Sequence, residues 1–154
     1  MPVDAIENRV LDSIKAELLK IGVPPANYLT VPSAPKEGVP GDALPGQSAP
    51  QLYYQHVRTS PNEPEAGTAS HYGVVHLKIW CASSDPVNGP RTVNKLKADV
   101  LRVLYAAEGT FQSAYKSFGI QIGEFAIRDD MATAGMSVCE FAVDVPFVMD
   151  HASP

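Results

Sequence analysis

The pattern of hydrophobic and polar positions is most regular near the end of the chain, over residues 116–148. From position 139 to 147 the odd residues are apolar, while the even residues 140, 142 and 144 are polar or small. This period of two is typical of a half-buried strand. The apolar face consists of Cys139, Phe141, Val143, Val145 and Phe147, and the other face carries Glu140, Ala142 and Asp144.

The preceding stretch predicts a second strand with an irregularity. Phe118, Ile120 and Ile122 share one face, but Phe125 and Ile127 continue the apolar pattern on odd positions. The change of phase at Gly123-Glu124 is what a β-bulge produces. Asp129-Asp130 and Gly135 are turn residues, so the two stretches form a long C-terminal β-hairpin. Because a long hairpin exposes backbone edges, another element or another chain must cover it.

Two amphipathic helices are predicted outside the hairpin. The first runs from about Asp4 to Ile21, with Asp4 and Glu7 at the spacing of a capping box and Gly22 as its stop. Its apolar stripe is Ile6, Val10, Ile14, Leu18 and Ile21, widened by Val3 and Leu11. The second begins near Pro90 and ends at Gly109. Its inward residues are Val93, Leu96, Val100 and Leu104, with Val103 and Ala107 beside them, and its polar stripe is Arg91, Lys95, Asp99 and Arg102.

Further strands are predicted at Tyr28 to Val31, at Gln51 to Arg58 and at residues 71–83. In the last of these, one face is Gly73, Val75, Leu77, Ile79 and Cys81, and the other is Tyr72, Val74, His76, Lys78 and Trp80. The fold class is therefore α+β. We expect a mostly antiparallel sheet of four to five strands with two main helices packed on one face.

Residues 32–50 are rich in proline and glycine and show no periodicity. We expect a single domain, residues 1–154, in which this segment is a mobile loop, because it holds too few large apolar residues to offset the entropy of ordering. Two interpretations remain open: a tolerated surface insertion, or an arm that becomes ordered on a partner.

Composition limits the function. The net charge of −5 provides no basic footprint for nucleic acid, and no run of 18 apolar residues predicts a membrane span. The N-terminus lacks the pattern of a signal peptide. Only 19% of residues are charged, which is common when part of a surface is covered by a partner. Cys81 and Cys139 lie in predicted strands and are expected to be buried free thiols.

No arrangement of residues predicts catalysis, and we expect no catalytic, cofactor or metal site. His71 and His76 should point to opposite faces of one strand; His56 and His76 could meet across strands, but two histidines make a poor metal site. Asp129 and Asp130 are interpreted as turn residues, and no serine has a glycine-flanked nucleophile elbow.

Two pairs on the non-core faces have more than one interpretation. Glu140 and Asp144 form either a solvated face or an acidic patch toward a channel or a partner. Trp80 and Tyr72 indicate an interface or a region covered by a helix of the same chain.

The order of elements resembles that of the tail terminator (tail completion) proteins of long-tailed bacteriophages. An N-terminal amphipathic helix and a long loop precede a strand over residues 74–80, and a helix over residues 93–101 follows. The chain closes with a hairpin that ends in Phe141-Ala142-Val143-Asp144-Val145-Pro146-Phe147. The resemblance spans about Val3 to Val148 and is a pattern of elements without an invariant motif.

The resemblance implies a structural virion protein of the tail or neck, assembled in the host cytoplasm. Such proteins form a ring, usually a hexamer, that caps the head-proximal end of the tail tube, stops tube polymerisation and joins the tail to the neck or head. The implied partners are further copies of the chain, the tail tube protein and a neck or head-completion protein. Genome DNA passes the lumen without specific binding, and no enzymatic activity, cofactor or membrane is implied.

Two alternatives stay open. One is another neck or head-closure connector protein. The other is a small α+β enzyme or ligand-binding module in which residues 32–50 act as a lid over a concave polar pocket.

Overall fold

Five strands form one mixed sheet in the computed structural model, which describes residues 5–23, 28–30, 32–40, 49–61, 70–85, 87–116, 119–127 and 136–150. The strands are β1 (Lys36–Glu37), β2 (Gln51–Pro61), β3 (Ser70–Ser83), β4 (Gln121–Ile127) and β5 (Ser137–Asp150). The helices are α1 (Ile6–Leu18), α2 (Gly89–Ala106) and α3 (Glu108–Tyr115).

The strand order across the sheet is β1-β2-β3-β5-β4. Only β1 is parallel to its neighbour, and the other three pairings are antiparallel. The β3–β5 pairing runs without interruption from Ser70 opposite Asp150 to Ser83 opposite Ser137. This confirms the predicted α+β class, the mostly antiparallel sheet and the hairpin-like arrangement of β4 and β5. It also shows that β3 covers the free side of β5, so no second chain is needed there.

The phase predicted for β5 is confirmed by burial. All five of its predicted inward side chains are at most 3% exposed, and they join the predicted inward residues of β3, from Val75 to Cys81, in one core. Helices α1, α2 and α3 contribute the other half of this core, including Ile14, Leu96 and Phe111. We call the sheet face that packs against the helices the inner face, and the opposite one the outer face.

The predicted bulge in β4 is confirmed. Ile122 pairs with Val143 and Phe125 with Phe141, so β4 advances three residues while β5 advances two. A second register shift, which the sequence analysis does not predict, falls between His56 and Arg58 in β2. Before this shift, even-numbered residues such as Leu52 and Tyr54 face the helices. After it, the odd-numbered residues do, because one extra residue has been inserted into β2.

The helices differ from prediction in two places. The predicted end of the second helix at Gly109 is wrong: α2 ends at Ala106, and Gly109 lies inside α3, which the pattern did not reveal. The predicted first helix is confirmed in its buried apolar stripe, but it ends at Leu18 with Leu19 as its C-cap and not at Ile21. The chain continues as turns to Gly22, which has a φ of 82°. Asp4 and Val3 lie outside the described residues, and the Glu7 carboxylate accepts a hydrogen bond from Thr59 Oγ1 at 2.9 Å.

The predicted strand at Tyr28 to Val31 is not formed by its described residues, 28–30. Instead, the backbone N–H groups of Leu29 and Thr30 each donate to Asp99 Oδ2 at 2.9 Å, and Thr30 Oγ1 donates to the same oxygen at 2.8 Å. The assignment of Asp99 to the exposed polar stripe of α2 is therefore wrong, because its side chain is fully buried.

Residues 32–40, the first part of the proline-rich segment, contribute a strand that the sequence did not predict. Lys36 and Glu37 pair with Tyr53 and Tyr54, and the Gly38 N–H donates to the Tyr54 carbonyl oxygen at 2.8 Å. Pro35 and Pro40 are buried. Residues 41–48 of this segment, like the predicted hairpin turn at Asp129, Asp130 and Gly135, lie outside the described residues.

Candidate functional site on the outer face of the sheet

Polar side chains from three strands meet on the outer face. Cross-strand pairing places Arg58 opposite His76, and His76 opposite Asp144. Ser60, two residues beyond Arg58, lies on the same face because paired and alternate residues of a sheet share a side. The helices do not cover this face, so its side chains reach solvent: the His76 side chain is 20% exposed and the Asp144 side chain is 36% exposed.

Ser60, His76 and Asp144 form a continuous hydrogen-bonded chain. Ser60 Oγ lies 2.8 Å from His76 Nε2, and His76 Nδ1 lies 2.7 Å from Asp144 Oδ1. Arg58 Nη1 donates to Ser60 Oγ at 2.9 Å. These are the contacts of a serine hydroxyl, an imidazole and a carboxylate in line, an arrangement that is recognised by geometry whatever the order of the residues along the chain.

A second polar group lies on the same face. Lys78 Nζ is 3.1 Å from Glu140 Oε1, and Trp80 Nε1 donates to Glu140 Oε2 at 2.8 Å. The Glu140 side chain is only 12% exposed, so this ion pair is partly shielded from water. The Trp80 ring itself is buried in a small apolar cluster with Tyr53, Ala82, Met136 and Val138.

Beside this group is a shallow, open hollow of about 390 Å³. Its apolar lining comes from Val39, Val57 and Trp80, and its polar lining includes Gln55, Lys78 and Glu140. A smaller hollow of about 170 Å³ lies between α1 and α3, next to Ser13 and Tyr115, whose hydroxyl oxygens are 2.6 Å apart.

The structure separates the histidines that the sequence analysis considered together. His56 is paired with Leu77 and faces the helices, whereas His76 faces outward, so the two do not meet. His56 Nε2 is 2.9 Å from Thr59 Oγ1, which donates its proton to Glu7. Within the described residues, no group of three or more His, Cys, Asp or Glu side chains is placed to hold a metal ion.

Glu140 and Asp144 lie on the outer face, as their spacing predicts, but they do not form a bare acidic patch. Glu140 forms an ion pair with Lys78, and Asp144 is hydrogen-bonded to His76 Nδ1, so each carboxylate has a partner on the neighbouring strand. Trp80 packs with apolar side chains of the sheet and with Met136, the residue before β5, and none of the described helices contributes to this cluster. Of the side chain of Tyr72, its expected companion, the structure describes nothing.

Cys81 and Cys139 are buried free thiols, as expected, and they lie directly opposite each other on β3 and β5. Burial raises the pKa of both thiols, that of Cys81 well above its ordinary value. Ionised thiolate is therefore disfavoured at both positions.

Sequence reasoning missed Ser60 for a specific reason. In the first half of β2 the even-numbered residues Leu52 and Tyr54 point inward. If this alternation continued along the strand, Ser60, which is also even-numbered, would lie in the core. The extra residue between His56 and Arg58 turns it outward. The weak alternation of residues 51–58 was the only signal of this irregularity in the sequence.

Comparison of the chain with protein-family models and with curated proteins finds no match. No helix in the part of the chain that the structure describes combines the length and apolar character needed to cross a membrane.

Proposed function

We propose that this protein is a structural subunit of a ring that caps the head-proximal end of a phage tail tube. In this role it stops tube polymerisation and joins the tail to the neck or head. The order of elements supports the proposal: an amphipathic helix, a proline-rich segment, a long central strand, a second helix and a C-terminal hairpin follow one another. Its partners are further copies of itself, six in total as the resemblance to tail terminators implies, together with the tube protein and a neck protein.

The observation that carries the proposal is the pattern of strand pairing at the two edges of the sheet. At one end, β4 pairs with β5, and no described strand pairs with its other edge. At the other end, β1 pairs only with Tyr53 and Tyr54, so the rest of β2 has no described strand on that side. Open edges invite pairing with another chain.

A head-to-tail contact that joins the β2 end of one copy to the β4 end of the next would cover both edges. Contacts of this heterologous kind close into a ring when the rotation between copies is a whole fraction of a turn. The chain as a whole carries a net charge of −5, which would disfavour adhesion of DNA phosphates passing through the lumen.

The test is the mass of the protein by light scattering on a sizing column, with negative-stain imaging of the same fractions, alone and with purified tail tubes. We expect rings, either free or at one end of the tubes. A monomer that ignores tubes would contradict the proposal. A ring that binds a head connector and ignores tubes would instead indicate a neck connector protein.

Two exposed valines supply a matched pair of variants. Val57, at the register shift in β2 and beyond the residues that pair with β1, is 47% exposed, and Val87, in the turn between β3 and α2, is 81% exposed. Val57→Lys should prevent ring formation because it places a charge in the proposed contact, whereas Val87→Lys should leave rings intact. If both variants formed rings, or if neither did, the result would argue against the β2 edge as the contact.

A further inference from the structure

We propose that Ser60 is a nucleophile activated by His76 and positioned through Asp144, able to take an acyl group from a small carboxylic ester. The inference is independent of ring formation, because all three side chains belong to one copy of the chain. It rests on the two contacts of 2.8 Å and 2.7 Å that link the hydroxyl to the imidazole and the imidazole to the carboxylate.

The hydrogen-bond partners of Ser60 and His76 determine which atom donates and which accepts in each contact. An ionised carboxylate only accepts hydrogen bonds, so His76 Nδ1 carries a hydrogen that it donates to Asp144. In the neutral imidazole, Nε2 is then left as an acceptor facing Ser60 Oγ. Arg58 donates to the same Oγ, which leaves the serine's own proton to point at His76 Nε2. This is the arrangement a general base requires.

A second hydroxyl–imidazole pair on β2, Thr59 and His56, has the donor and acceptor roles reversed. Thr59 Oγ1 is also within hydrogen-bond distance of an imidazole, that of His56, but it donates its proton to the Glu7 carboxylate. His56 must therefore donate to Thr59 and cannot act as its base. Thr59 therefore has a hydroxyl beside an imidazole, as Ser60 does, but we expect it to be unreactive. It serves as the internal control.

The reaction is balanced with an ester and water alone. Ser60 Oγ attacks the ester carbonyl carbon while its proton passes to His76 Nε2, and the resulting oxyanion develops beside the Arg58 guanidinium. The intermediate collapses with cleavage of the bond to the leaving alcohol, which takes the proton from His76. Water, deprotonated by His76, then releases the carboxylic acid from Ser60. Because the outer face is open, we expect small esters to react with little selectivity for the acyl group.

The experiment treats the 154-residue chain with a fluorophosphonate probe and locates the adduct by peptide mass spectrometry. We expect one adduct, on Ser60, absent from Ser60→Ala and unchanged in Thr59→Ala. His76→Gln should slow labelling by about 100-fold, since a general base contributes roughly that factor or more. Hydrolysis of p-nitrophenyl acetate should follow the same order of variants.

Asp144 acts through His76, so its test needs a readout beyond loss of rate. Asp144→Asn should slow labelling of Ser60 because His76 loses the carboxylate that accepts from its Nδ1, and Asp144→Glu should restore part of the rate, with circular dichroism unchanged in both.

The outcomes that overturn the proposal are distinct. They are an absence of adduct on the wild-type protein, an adduct on a residue other than Ser60, or equal labelling of wild type and Ser60→Ala. Labelling of Ser60 that is unaffected by His76→Gln would also overturn it, because the hydroxyl would then need no base. None of these results bears on whether the protein forms rings.

Discussion

Asp99 joins α2 to the segment before the first strand with a single carboxylate oxygen. Oδ2 accepts three hydrogen bonds from Leu29 and Thr30, while Oδ1 has no hydrogen-bond partner and lies 3.8 Å from Arg102 Nη1. Hydrogen bonds to an ionised acceptor are stronger than those between neutral groups. This carboxylate therefore takes the place of a strand partner for residues 28–30.

Replacing Asp99 with alanine should lower the free energy of unfolding by about 2–4 kcal/mol, because two backbone N–H groups and a hydroxyl lose a charged acceptor. Chemical denaturation measures the change. Asp99→Asn keeps an acceptor at the same place and should cost less. Lys95→Ala, on an exposed position of α2, should change stability by less than about 0.5 kcal/mol. A loss as small as this for Asp99→Ala would show that the buried contacts contribute little.

At the scale of elements, β5 determines most of the fold. It lies between β3 and β4, and its odd positions form the floor on which the helices pack. Val143 is completely buried and pairs with Leu77 on one side and Ile122 on the other. The next residue toward the N-terminus, Ala142, faces outward opposite Lys78.

Because Val143 and Ala142 face opposite sides of the sheet, they provide a matched pair of variants. Val143→Asp should abolish cooperative folding, since a carboxylate without a partner would enter the apolar core at a cost of several kcal/mol. Ala142→Asp should fold normally, because its carboxylate would be in water and next to Lys78, with a change of about 1 kcal/mol or less. Thermal melts followed by circular dichroism compare them. A soluble, cooperatively melting Val143→Asp would contradict the assigned face of β5.

The second element with a strong effect is the bulge in β2. If the same residues of β2 paired with β3 without the register shift between His56 and Arg58, Ser60 would have the inward parity of Leu52 and Tyr54. Because of the insertion, Arg58 and Ser60 instead join His76 on the outer face. A local irregularity thus creates the hydrogen-bonded chain that reaches Asp144.

At the scale of the whole molecule, burial of weakly acidic side chains makes stability depend on pH. Burial raises the pKa of Cys81 well above its ordinary value of 9.0 and also raises that of Cys139. The pKa values of Tyr53, Tyr54 and Tyr115 are likewise raised above 10.0, chiefly by burial. In each case the folded state holds its proton to higher pH than the unfolded state does.

Stability should therefore be constant below about pH 8 with respect to these groups and should fall as the pH rises through 9 and beyond, because the unfolded chain loses protons that the folded chain keeps. Each such thiol contributes a slope of up to about 1.4 kcal/mol per pH unit. Urea denaturation at a series of pH values measures it. Cys81→Ala should reduce the slope near pH 9, where Cys139 still contributes, and leave the later decline, due to tyrosines, in place. Rising stability above pH 9 would contradict this account.

The order of residues within an element specifies which face is buried in β3, β5, α1 and α2. Periods of 2 and 3.6 specify the inward residues of β3, β5, α1 and α2, and a change of parity reveals the bulge at Gly123 in β4. These features depend on the order of residues within one element. The periodicity also predicted that Glu140 and Asp144 share the outer face.

Which elements are neighbours depends on contacts between residues that are distant in sequence. The sequence pattern gives no signal that β3 lies between β2 and β5, and that position is what brings Ser60, His76 and Asp144 into contact. Nor does a helical pattern distinguish Asp99, buried against residues 28–30, from exposed polar residues of α2. Periodicity records how one element faces a core, whereas contacts between polar side chains depend on register between elements that are distant in sequence.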